Sequence, residues 1–90
     1  MKASLGRVVI INGISSNGAN EHPAIINRVW SDADPGEATV LVNVVVFPDC
    51  ASSPKSQGSV RLFNTKAEAV AAQQANPTSL PMVCWFPDRV

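Results

Sequence analysis

Residues 39–49 read TVLVNVVVFPD, and shortly before them residues 22–30 read HPAIINRVW. Between the two lies SDADPGEA, residues 31–38, a polar turn with a Pro-Gly pair, so the three pieces read as two strands and their connection. Side chains alternate across a strand. Val40, Val42, Val44 and Val46 therefore share one face, and Thr39, Leu41, Asn43, Val45 and Phe47 the other. The valine face is the core face. The opposite face is also mostly apolar, with Asn43 as its polar interruption, so the strand is expected to be covered on both sides or pressed against another subunit.

Working outward, the 90 residues suffice for one domain, residues 1–90. Surface scaling gives a chain of this size roughly 5,000 Å² of folded surface against roughly 14,000 Å² unfolded, enough for one modest core. A hydrophobic content of 46% with 16% charged residues excludes a disordered tail, and seven Pro with five Gly suggest short elements separated by turns. Seven basic and seven acidic side chains give a net charge of zero. No stretch gathers the Lys and Arg that phosphate neutralisation needs, which disfavours a nucleic-acid reader. The apolar run of residues 8–11 is too short for a signal peptide core or a membrane span, so the chain reads as a cytosolic product without a membrane partner. Cys50 and Cys84, with no export signal, read as reduced thiols.

Residues 5–12, LGRVVIIN, form the first strand of this reading, and GISSNGANE at 13–21 a long loop in which Asn17-Gly18 favours a positive φ. Pro23 suits a strand start or an edge. On the second strand His22, Ala24, Ile26, Arg28 and Trp30 fall on one face, and neither face is cleanly apolar. Residues 48–58 read as a second long loop and residues 59–63 as a short strand with Val60 and Leu62 inward. Thr65-Lys66-Ala67-Glu68 matches a capping box and starts a helix over 66–75, stopped by Asn76-Pro77. Its apolar surface is expected at Ala67, Val70, Ala71 and Ala75. Residues 82–86, MVCWF, make the last strand. The echo of Val46-Phe47-Pro48-Asp49 in Trp85-Phe86-Pro87-Asp88 is a common way to end a strand. The order β-β-β-β-α-β predicts a mainly β fold, a small five-stranded antiparallel barrel of SH3-like or OB-like form with one short helix before the last strand.

Chemistry is sparse. His22 could serve Cys50 or Cys84 as a base, but no third orienting group is identifiable, and a polar residue at a strand entrance explains His22 more simply. Two Cys and one His lack the spacing and the fourth ligand of a zinc site. Asp32, Asp34 and Glu37 read as a solvated turn, Asp49 and Asp88 as turn residues. No catalytic residue, cofactor or metal ligand is assigned. Interface candidates are Leu41, Asn43, Val45 and Phe47 with Trp30 and Arg28, since large aromatics beside an Arg make good anchors. Trp85 and Phe86 belong to the same set of aromatics; Trp85 is expected rather in the core, and Trp30 is read equally as core or surface. A ligand-binding alternative would use Arg28, Trp30 and Arg61.

His22-Pro23-Ala24-Ile25, Arg28-Val29-Trp30, Val42-Asn43-Val44, Val46-Phe47-Pro48-Asp49 and Trp85-Phe86-Pro87-Asp88-Arg89-Val90 together resemble, in the same order, a group of small proteins of tailed bacteriophages and prophages. The resemblance implies a phage origin and a compact β-domain, and supplies no catalytic residues. In that setting three roles compete. They are a virion-associated capsid decoration or tail accessory protein, an anti-defence protein that sequesters a signalling nucleotide or blocks a host protein, and a nucleic-acid-binding regulator. Neutral charge and a two-sided apolar strand favour the first, a non-enzymatic module made in the host cytoplasm and carried in the virion. Its partners would be other phage structural proteins or further copies of itself.

Overall fold

Strand β3 (Val40–Val46) stands at the centre of the molecule, with all four of its even-numbered valines fully buried. The structure is a computed structural model and describes residues 3–16, 18–30, 34–35, 39–48 and 53–87. Around β3 run β1 (Val8–Ser16), β2 (Ala19–Val29), β4 (Lys55–Phe63) and β5 (Val83–Trp85), with helix α1 (Lys66–Ala75) between β4 and β5. Neighbours follow sequence order, and β5 returns to pair with β1, so the sheet closes into a barrel. Sequential neighbours around the barrel are not the Greek-key order of an OB-fold.

One strand pair departs from the expected antiparallel barrel. β4 and β5 are parallel, with Arg61, Leu62 and Phe63 opposite Val83, Cys84 and Trp85. The cause is α1, which carries the chain back along β4 as a crossover and so delivers β5 in the same direction. Every other pair is antiparallel.

Closure divides the apolar side chains between an inside and an outside. Val9 and Ile11 of β1, Ala24 and Ile26 of β2, the β3 valines, Val60 and Leu62 of β4, and Cys84 and Phe86 fill the barrel. A second core lies outside it. Phe63, Val83 and Trp85 are buried there beneath Ala69 of α1, with Ile10, Ala72 and Leu80 packed at the margin. Trp85 is thus a core residue, as expected, but of the layer between barrel and helix.

The face of α1 is corrected by the same packing. Ala69 is the buried residue and Ala72 lies beside it, whereas Ala67, Ala71 and Ala75 are exposed and Val70 is half-buried. The rings of Phe63 and Trp85 supply the bulk, so the helix needs only small side chains to approach them. Its start is as expected: the Thr65 hydroxyl accepts from the Glu68 backbone N–H at 3.3 Å. At its end the Asn76 N–H donates to the carbonyls of Ala72 and Gln73.

The first long loop is largely strand, and the second runs into one at its end. Ser16 pairs with Ala19, and Gly18, just before Ala19, has φ +81°. Strand β4 begins at Lys55, and Lys55, Ser56 and Gln57 pair with Val46, Val45 and Val44. Polar composition misled in each case, because none of the residues whose burial is described in these strand segments is buried: Gly13, Asn20, Glu21, Lys55, Ser56 and Gly58 are exposed and Gln57 is half-buried. Gly13 lies within the irregular part of β1, at φ +123°, where the chain passes against residues 81–82. A Cβ there would run into the Pro81 carbonyl oxygen and come within 2.8 Å of Met82 Cγ.

Gly13→Ala is therefore expected to destabilise the fold by about 2 kcal/mol or more, from disfavoured backbone and backbone overlap together. Thermal denaturation followed by circular dichroism should show Tm falling by roughly 10 °C. Gly18→Ala, whose Cβ meets nothing within 4 Å, should cost less.

Candidate interaction surface

Helix α1 covers the outer wall of the barrel chiefly over β4 and β5, with Ile10 of β1 at the margin. On the side away from the helix, the register sets Val8 opposite Ile25 and Ile25 opposite Val45, an outward apolar row across three strands. Val8 is 47% exposed, Ile25 is 37% exposed, and Val45 is half-buried. Phe47, 40% exposed, lies at one end, where its N–H donates to the Pro23 carbonyl. Leu41 and Trp30 lie at the other, joined by the Trp30 N–H donating to the Leu41 carbonyl at 3.0 Å.

Asn43 organises that second end. On β2, Ile26 pairs with Val44 and Arg28 with Asn43, so Asn27 is an extra residue. On β4, Gln57 pairs with Val44 and Val60 with Val42, so Gly58 and Ser59 together oppose Asn43. A bulge thus flanks Asn43 on each side. Ser59 carries the strain of its bulge, at φ +54°, and its N–H donates to Asn43 Oδ1 at 2.8 Å. The same oxygen accepts from Trp30 Nε1 at 2.8 Å. The Asn27 bulge also explains why Arg28 does not share the inward face of His22, Ala24 and Ile26, as plain alternation predicts. It turns Arg28 outward and lets Val29 pack against the core.

Arg28 then lies over the Trp30 ring, its guanidinium carbon 4.0 Å from the centroid. Trp30 remains 51% exposed. Arg28, Trp30, Asn43 and Leu41 are brought together, and Val45 and Phe47 continue along the same wall. Arg61 stands opposite Leu41 on the far side of β3 and rests over Phe63 at 4.7 Å. It is two strands over and two residues along from Arg28, roughly 12 Å between backbones. Beside Arg61, a groove of about 380 Å³ runs between β4 and residues 79–82, and this groove does not include Arg28 or Trp30. Val8, Ile25 and this groove were missed from the sequence, because only the pairing register places Val8 and Ile25 beside Val45.

The chemistry considered for the cysteines takes a different form. His22 and Cys84 both point into the barrel and both pair with Ile11, which stands between them. Cys84 is a free thiol whose Sγ lies 3.6 Å from the Arg61 carbonyl oxygen. Burial pushes its pKa from 9.0 up to about 12, the reverse of an activated nucleophile. Cys50, Asp32, Glu37, Asp49 and Asp88 lie outside the described residues, and Asp34 accepts from Asn64 Nδ2 at 3.1 Å. Among the described residues no three His, Cys, Asp or Glu side chains gather, and no helix is long and apolar enough to cross a membrane.

Asn43→Ala removes the acceptor shared by Ser59 and Trp30 and should cost about 1–2 kcal/mol. Iodide quenching of tryptophan emission is expected to rise as the Trp30 indole is released; unchanged quenching would show that the amide does not hold it. For Cys84, the folded chain keeps its proton where the unfolded chain loses it. Stability is therefore expected to decline as pH rises above 9.0 toward 12. In a Cys50→Ala background, urea midpoints across that range should fall in the native protein and stay level in Cys84→Ala relative to it. Comparison of the chain with protein-family models, with curated proteins and with solved structures finds no match, so function is argued from the wall's own chemistry.

Proposed function

We propose that the chain is a non-enzymatic, phage-encoded protein-interaction module that serves as a virion-associated capsid decoration or tail accessory protein. The observation that carries this reading is the outward row Val8, Ile25 and Val45 with Phe47, Leu41 and Trp30, left uncovered on the side of the barrel opposite α1. A continuous apolar wall is stabilised by contact with protein and is a liability without it. The phage setting comes from the sequence resemblance. Sequestration of a nucleotide finds less support, since Arg61 stands across β3 from Arg28 and Trp30.

Mass spectrometry of purified particles of the encoding phage is expected to detect the chain, and its absence would sink the virion reading. Ile25→Asp, at a half-exposed position on the wall, should leave the circular dichroism spectrum unchanged and lower incorporation into particles. Incorporation at the level of the unsubstituted chain would remove the wall from the reading.

A further inference from the structure

We propose that the wall of β2, β3 and β4 docks an acidic protein segment, which lodges an apolar side chain in the groove beside β4 and sets carboxylates on Arg61 and Arg28. This rests on the interaction-module reading and adds the chemistry of the partner. The groove, about 380 Å³, is lined by Leu41, Val60, Leu80, Pro81 and Met82, with Arg61 at its side. Leu41 belongs both to the groove and to the wall, so the two form one surface.

Charge chooses the occupant. Arg28 and Arg61 flank β3 on this wall, and neither forms an ion pair with a described residue. The described acids are engaged elsewhere or stand on the helix: Glu21 binds Lys66 at 2.9 Å, Asp34 takes the Asn64 amide, and Glu68 is in the first turn of α1. Each arginine is already held over a ring, so it loses little freedom on meeting a carboxylate, and its planar fork suits that group. A second copy fits poorly, because an isologous contact would bring four guanidinium groups together with no described carboxylate between them. Nucleic acid fits poorly too, since two cations separated by Leu41 and Asn43 neutralise few phosphates and the rest of the wall is apolar.

The test is selection of random nonapeptides by messenger-RNA display against the full chain, followed by titration of selected peptides into charge variants. The expected result is enrichment of peptides with Asp or Glu beside Leu, Ile, Phe or Trp. Their affinity should fall roughly tenfold in Arg61→Glu and in Arg28→Glu, both checked for native circular dichroism, and hold in Arg61→Lys. Exchanging the peptide's acids for Lys should restore binding to the reversed variants. Peptides that lose binding in Leu41→Asp but carry no acids would overturn the acidic partner and leave the interaction module standing. Displacement of the peptides by a thymidine oligonucleotide, or a dimer in sedimentation that peptides do not dissociate, would likewise overturn it. If no selected peptide depends on Leu41, Arg28 or Arg61, both the acidic partner and the interacting wall are wrong.

Discussion

One amide oxygen, Asn43 Oδ1, accepts from a backbone N–H of β4 and from the indole of Trp30, just past the end of β2, and so sits between the two bulges that bend the sheet. Five strands close into a barrel only if the sheet coils, and bulges are the usual device for concentrating that curvature. Here two bulges face each other across a single residue of β3, with Asn27 extra on one side and Gly58-Ser59 on the other. A bulge leaves a backbone donor without its ladder partner, and the Asn43 side chain accepts the one at Ser59. An apolar residue at position 43 would continue the stripe of Leu41 and Val45 but leave that donor to water. The one polar interruption of the outer face is thus a consequence of closing the inner one.

Closure also decides which aromatic residues are hidden. Phe86 turns into the barrel, while Phe63 and Trp85 turn outward and are buried because α1 lies over them. Trp30 and Phe47 turn outward on the opposite side, where no helix reaches, and remain about half exposed. The difference between a core tryptophan and a surface tryptophan is therefore made by one crossover helix, and that same crossover makes β4 and β5 parallel. The short side chains of Ala69 and Ala72 follow from its closeness to the sheet.

Much of this was legible in the residues. The valine period of β3, the Thr65 hydroxyl cap, the limits of α1 and the positive φ at Gly18 are local signals, and each is satisfied as local chemistry demands. The outward set Leu41, Asn43, Val45 and Phe47 followed from period 2 alone. What failed to show were features set by pairing between distant segments. Lys55, Ser56 and Gln57 are polar yet form strand because Val44, Val45 and Val46 offer a free edge. Arg28 leaves the inward face because Asn27 is unmatched, and no single-strand pattern records an unmatched residue. The row of Val8, Ile25 and Val45 draws on three strands, and the helix face depends on rings supplied by β4 and β5.

The cations sharpen what the wall is for. Of the five Lys and Arg side chains among the described residues, Arg7, Arg28, Arg61 and Lys66 each lie over an aromatic ring. Such contacts contribute about 0.5–1 kcal/mol each at exposed sites, so they orient a side chain more than they stabilise a fold. Two of the four are bound into the architecture. Arg7 covers Phe86 and its backbone carbonyl accepts from Ile26, while Lys66 binds Glu21 and so ties the start of α1 to β2. Arg28 and Arg61 are oriented in the same way, yet no described carboxylate meets them; Arg28 stands on the side that α1 leaves open, and Arg61, over Phe63, at the edge of the side it covers. Two positive groups are thus oriented beside an apolar row that α1 does not cover, and it is this pairing of fixed cations with apolar surface on which the proposed acidic partner rests.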